Sequence, residues 1–181
     1  VTATVTDRPV ELATKLVDLP WDAFTELVEL EVKGKAPSGT RDALGATAAS
    51  AARWYDCLVE IHAKVVDAQS ARNADREEYR LECLAAGPDG RDDWWEYETE
   101  YRGLKSRTVH FQKLVQRDMT DAKATRSQRR REANEVEQAA KQELLSRAVR
   151  AHRSAGGGAE ADSVLWEAYD RIFQTTAAPA E

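Results

Sequence analysis

Four consecutive residues, Gly87, Pro88, Asp89 and Gly90, constrain this chain more than any others. Proline lacks the amide hydrogen that a helix interior needs, and glycine tolerates backbone angles closed to other residues, so the segment reads as a tight turn. A long apolar stripe with spacings alternating between three and four lies on either side of it, the heptad pattern of helices that pack lengthwise. The first stripe runs Leu44, Ala48, Ala51, Tyr55, Leu58, His62, Val65 and Gln69, turns polar at Arg72 and Arg76, and recovers at Leu81 and Leu84. The second runs Trp94, Tyr97, Tyr101, Leu104, Thr108, Phe111 and Val115. Two such stripes joined by so short a turn must run antiparallel. Folding the chain about the turn pairs Leu84 with Trp94, Leu81 with Tyr97, Val65 with Phe111, His62 with Val115, and Leu58 with Met119. At 1.5 Å per residue the shorter arm is roughly 65–70 Å long.

The fold class expected is all-α: a long antiparallel, coiled-coil-like helical hairpin with two short N-terminal helices and a short C-terminal helix. Alternating β-branched runs of the kind that form strands are absent. The first arm is expected to start at a cap on Ser38 or Thr40 and reach about Ala86 without a break. Asp92 and Asp93 place negative charge where the next helix begins, which its dipole favours. Ahead of the hairpin, Asp7 and Pro9 mark the start of one helix, and 18–20 (DLP) ends it and begins another, capped by Asp18 or Leu19. Gly34 stands where a left-handed C-terminal cap belongs. Three segments follow: 1–34 as a two-helix unit, 40–153 as the hairpin with a basic helical extension, and 159–181 as an amphipathic helix and tail. Residues 34–39 (GKAPSG) and 155–158 (AGGG) read as linkers.

Charge is unevenly spread. The chain carries a net −6, yet 123–153 holds nine basic and four acidic residues, leaving the remainder at −11. Such asymmetry suits a polyanionic partner or head-to-tail self-association, or else a solvated helix of mixed charge. The densest part is 123–131 (KATRSQRRR), where Lys123, Arg126, Arg129, Arg130 and Arg131 are the candidate phosphate-contacting residues. No aromatic residue interleaves with them, so base stacking is not expected. The second N-terminal helix carries Asp22, Glu26, Glu29 and Glu31, and phosphates would repel it as a DNA-reading helix.

Enzyme chemistry finds little footing. His62, His110 and His152 are scattered, outside any E-x-x-H spacing, and His62 reads as a core histidine on the seam. Glu77, Glu78 and Glu82, with Glu96, Glu98 and Glu100 beyond the turn, read as a solvated acidic tip rather than a Mg²⁺ site. No phosphate-cradling loop or activated nucleophile is present. No catalytic residue, metal or cofactor is therefore expected, nor a small-molecule substrate. Two cysteines, Cys57 and Cys83, fit a reducing compartment. No apolar stretch approaches the roughly 20 residues of a membrane span, and no signal peptide opens the chain. A GC-rich bacterial or bacteriophage gene read from a GTG start accounts for Val1, with a trimmed chain as the alternative. The expected location is a bacterial host cytoplasm, or the virion if phage-encoded.

Two aromatic faces complete the candidates for contact with a protein partner: Trp21 with Phe24, and Trp166 with Tyr169 and Phe173. They serve as satellite core or as docking anchors, since short helices with large aromatics suit helix-in-groove recognition. The expected function is a non-enzymatic interaction or assembly protein, self-associating into a homo-oligomer or binding a protein partner. The alternative is a nucleic-acid-associated packaging or regulatory factor acting through 123–131.

Overall fold

The computed structural model describes residues 7–154 together with 156, 158, 163, 165–167 and 170. The fold is all-α. Among the described residues the order is α1 (Asp7–Val17), α2 (Trp21–Val32), α3 (Thr40–Leu44), α4 (Ala48–Ala85), a single 3₁₀ turn (Gly87–Asp89) and α5 (Gly90–Ser154). The chain forms two compact units, Val1–Arg130 and Arg131–Glu181. In the second unit, Ser163, residues 165–167 and Asp170 are helical, while Tyr169, Ile172 and Phe173 lie outside the described residues.

Within the first unit, local chemistry sets the helix ends. Val17 closes α1, and α2 starts from Pro20, which occupies the N-cap in place of the expected Asp18 or Leu19 and offers no side-chain acceptor. At the far end of α2 the Lys35 N–H bonds the Leu30 carbonyl (2.8 Å) and the Gly34 N–H bonds that of Glu31 (2.9 Å). This paired closure is the Schellman arrangement that a left-handed residue at Gly34 permits. The first arm does not run unbroken from residue 40. Thr40–Leu44 forms a separate short helix, and α4 begins at Ala48. Thr47 and Ser50 make a capping box: the Ser50 N–H donates to Thr47 Oγ1 (3.1 Å) and the Thr47 N–H to Ser50 Oγ (3.2 Å). That reciprocal pair satisfies donors a helix start otherwise leaves open, which favours restarting the helix at Ala48.

The turn forms where expected. Gly87 takes a positive φ of 71°, whereas Gly90 is needed for a different reason. A Cβ on Gly90 would lie 2.2 Å from the Cys83 carbonyl oxygen, so only a residue without a side chain lets α5 start against the α4 backbone. That close approach turns Cys83 inward and buries it. Leu81 and Leu84 are consequently not seam residues: they are 55% and 64% exposed. Tyr79 replaces Leu81 opposite Tyr97, with ring centroids 4.6 Å apart. Leu84 and Trp94 still line one shallow groove at the tip. Farther from the turn the expected register holds closely. His62 is half-buried, with Nε2 3.3 Å from Nε2 of Gln116, one residue from the expected Val115. Val65, Phe111 and Met119 flank the core that holds Leu58 and Val115.

The main apolar cluster among the described residues lies at the base of the hairpin. Leu44, Ala51 and Leu58 are buried as the stripe predicts, whereas Ala48 and Leu104 are exposed. A second face of α4, formed by Trp54, Cys57 and Ile61, is buried as well. Leu16 of α1 and Phe24, Val28 and Val32 of α2 belong to the same core cluster. The N-terminal helices thus complete the base rather than stand apart from it. At roughly 25 cal/mol per Å², a fully buried side chain the size of Phe24 or Leu58 contributes about 2–3 kcal/mol.

Toward the tip, polar and cation–aromatic contacts take over. The Arg76 guanidinium lies 5.2 Å from the Trp94 ring centroid and 5.1 Å from that of Tyr101, and it grips Glu98 through two bonds of 2.7 and 3.0 Å. The Tyr101 hydroxyl donates to Asn73 Oδ1, and Gln69 donates to the same oxygen at 3.0 Å. Hydrogen bonds from Arg76 hold the Glu98 carboxyl below the usual carboxylate range, burial opposes them, and Arg102 assists. A depressed folded-state pKa means that Glu98 stabilises the arm above the ordinary glutamate value near 4.3 and ceases to do so as the pH falls through its folded value. Glu98→Gln should therefore melt earlier than the wild type at neutral pH. The gap should close as the buffer is taken below about pH 4, followed by circular dichroism at a series of pH values.

Candidate functional site

The base of the hairpin is fastened by arginines from three helices. Arg53 of α4 reaches the end of α1, where its guanidinium donates to the carbonyls of Leu16 (3.0 Å), Val17 and Leu19. These are carbonyls at and beyond the end of α1, which have no partner within the helix. The same guanidinium lies over Phe24 (4.4 Å) and Trp21 (5.5 Å). Arg41 of α3 reaches α5, where it bonds Asp118 (3.3 and 3.4 Å) and Asp121 (2.9 Å) and lies 5.4 Å from the Trp54 ring centroid. Asp118 is fully buried and also accepts from Arg117 Nε at 3.0 Å. Arg126 of α5 bonds Asp56 of α4 at 3.0 Å and covers the Tyr55 ring at 5.2 Å. Sequence reasoning missed Arg41, Arg53 and Asp118. A lone arginine or aspartate among many on a charged chain carries no local mark of burial.

The candidate phosphate-contacting residues fall into two groups. Arg126 is engaged with Asp56 and Tyr55, and Arg129 donates through Nε to the Gly45 carbonyl at 2.8 Å. Both therefore help join α5 to the α3–α4 segment. Lys123 and Arg130 are exposed on α5. Arg131 is exposed too, and it opens the second unit.

Of the aromatic candidates, Phe24 is fully buried beneath Arg53. Trp21 stacks on Phe24 at 6.0 Å and donates through Nε1 to Glu60 at 2.8 Å, at the rim of the same packing. Trp166 is exposed in the second unit, while its expected companions Tyr169 and Phe173 lie outside the described residues.

The acidic tip is internally paired in part. Glu77 is bridged to Arg80 at 2.7 Å, and Glu98 is bound by Arg76 and Arg102. Among the described residues, no group of three or more histidine, cysteine, aspartate or glutamate side chains could hold a metal ion. Burial raises the pKa of the Cys57 thiol, and a hydrogen bond to Thr25 only partly offsets this, so the nucleophilic thiolate is disfavoured. No helix among the described residues is long and apolar enough to cross a membrane.

What the first unit does present is surface. Leu81, Leu84 and Trp95, the last 69% exposed, stand outward near the turn. The tip groove is lined by Leu84, Pro88 and Trp94, with Arg80 and Arg91 at its edges. No known family's sequence model, no characterised protein and no solved structure matches this chain.

Proposed function

We propose that this chain is a non-enzymatic interaction or assembly protein, with the hairpin as a rigid spacer and its outer half as the contact surface for a protein partner or a second copy. The observation that carries this reading is the placement of Leu81, Leu84 and Trp95 on the outside of the arms. Inside, the arms are joined by Arg76, Glu98, Asn73 and Tyr101, so these large apolar side chains are left facing solvent. Contiguous exposed apolar patches mark contact surfaces, and Leu81 and Leu84 stand three residues apart on one side of α4. The test is sedimentation velocity across a wide concentration range, together with capture from the native host. Wild type is expected to self-associate or retain a partner, and the Leu84→Glu/Trp95→Glu variant is expected to lose that contact. A strict monomer whose captured proteins are identical with and without these substitutions would sink the proposal.

A second reading, a nucleic-acid-associated protein, draws on Lys123 and Arg130, which are exposed on α5. Arg126 and Arg129 contribute less to it because they serve the fold. Charge reversal at Lys123 and Arg130 that left DNA affinity unchanged would remove 123–130 as the contact.

A further inference from the structure

The basic character of α5 begins well before Lys123. From Arg102 to Arg130 the chain carries nine lysines and arginines and only two carboxylates, Asp118 and Asp121. Both carboxylates bond Arg41, on the face of α5 that meets α3. The other side is different. Arg102, Lys113, Lys123 and Arg130 belong to one row whose spacing alternates four and three, so they share a face of the helix. The positions between them in that row are Ser106, Val109, Gln116, Thr120 and Ser127, none of them acidic. Every member of the row is exposed except the half-buried Val109. Lys105 stands beside it, three residues from Arg102, and shares a shallow depression with Arg102, Val109 and Lys113.

We infer that this row, with Lys105 beside it, is a phosphate track for duplex nucleic acid, running from Lys105 to Arg130 and therefore far beyond the 123–131 cluster. The inference rests on the nucleic-acid reading above and extends it to a particular surface. Three features choose the partner. The cations are strung along about 40 Å of continuous helix, which matches an extended polyanion rather than a single acidic site. None of the residues between them adds opposing charge, and the Ser106 and Ser127 hydroxyls can donate to phosphate oxygens. The row has no large exposed apolar or aromatic side chain, so it lacks the anchor of a membrane surface, the hot spot of a protein interface and the stacking platform for single strands. The neighbouring carboxylates do not cancel it. Glu98 is held by Arg76 and Arg102, which commits Arg102 and leaves Lys105, Lys113, Lys123 and Arg130 to carry the track, and Asp56 of α4 is paired with Arg126. Binding would read the phosphate backbone and not the bases.

The experiment is fluorescence anisotropy of the full chain with a labelled duplex DNA at a series of salt concentrations. Lys105, Lys113, Lys123 and Arg130 predict a fall of log affinity with log salt of slope about −3 to −4. Lys105→Glu/Lys113→Glu should weaken binding by about tenfold or more and reduce the slope by about 2. Both side chains are exposed, and an unchanged melting curve checks that the fold survives. The same reversal at Arg8 and Lys35, exposed positions outside α5, should have a much smaller effect. Absence of duplex binding at low ionic strength overturns the track. So does a Lys105→Glu/Lys113→Glu variant no weaker than the Arg8→Glu/Lys35→Glu control. If reversal at Lys123 and Arg130 alone abolishes binding while Lys105 and Lys113 are indifferent, the second reading stands and the extended track fails. Tighter binding to phosphatidylserine vesicles than to duplex also overturns it.

Discussion

Asp118→Ala should lower the unfolding free energy of the first unit by about 2 kcal/mol, the range for losing hydrogen bonds to a charged group, since its partner Arg41 is itself 39% exposed. The carboxylate is fully buried and bonded by Arg41 and Arg117. Its loss leaves the Arg41 guanidinium held against the Trp54 ring with fewer acceptors. The cost stays moderate because Asp121 at 2.9 Å and Glu31 at 3.7 Å remain near Arg41. Replacing both members, as in Arg41→Met/Asp118→Leu, should cost clearly less than the two single changes combined, because no charge is then stranded. Urea melts of the four proteins of this cycle decide the matter. Strict additivity would show that the two residues do not act as a pair.

Arg53→Ala should cost a similar amount, about 2–3 kcal/mol, and at a different place. The guanidinium serves three carbonyls around the end of α1 and lies over Phe24. The Leu16 carbonyl would keep only the Leu19 N–H at 3.4 Å, and the bonds to the Val17 and Leu19 carbonyls would be lost where α1 meets α4. Arg53→Lys should recover little, because one ammonium cannot reproduce a planar fork that addresses several oxygens and a ring at once. Hydrogen exchange should quicken throughout Asp7–Val17 while the turn at 87–90 stays as in the wild type. Equal protection of α1 in variant and wild type would refute the assignment.

The two clamps also show where sequence reasoning reaches and where it stops. The turn at 87–90 and the heptads beside it were legible because their chemistry is local: a proline, two glycines, and apolar residues at fixed intervals. Register near Leu58, His62 and Val65 followed from counting. The second buried face of α4 did not, because burial of Trp54, Cys57 and Ile61 depends on helices more than twenty residues away in sequence. Leu81 and Leu84 fit the heptad count yet face outward, because Gly90 sets the crossing of the helices through backbone contact with Cys83. The break before α4 carried a signal in Thr47 and Ser50, hidden because a serine takes the place usually held by glutamate or glutamine. On the functional side, the arginines of 123–131 stand out by density, but density does not say which of them the fold consumes. Arg126 and Arg129 hold α5 to its neighbours, while the sparser cations back to Arg102 share one uninterrupted face.

The uneven make-up of the hairpin governs how it comes apart. Apolar burial is concentrated around Leu58, Ile61 and Val115, whereas the outer arms depend on Arg76, Glu98 and Tyr101. Opening therefore has a direction. The outer arms, whose ends the 87–90 turn keeps tethered, are expected to open locally at lower cost than the packing at Phe24 and Val28. A protease is expected to nick the outer arms before the base, and a partner seated on Leu84 and Trp94 would favour the closed arms without touching the base.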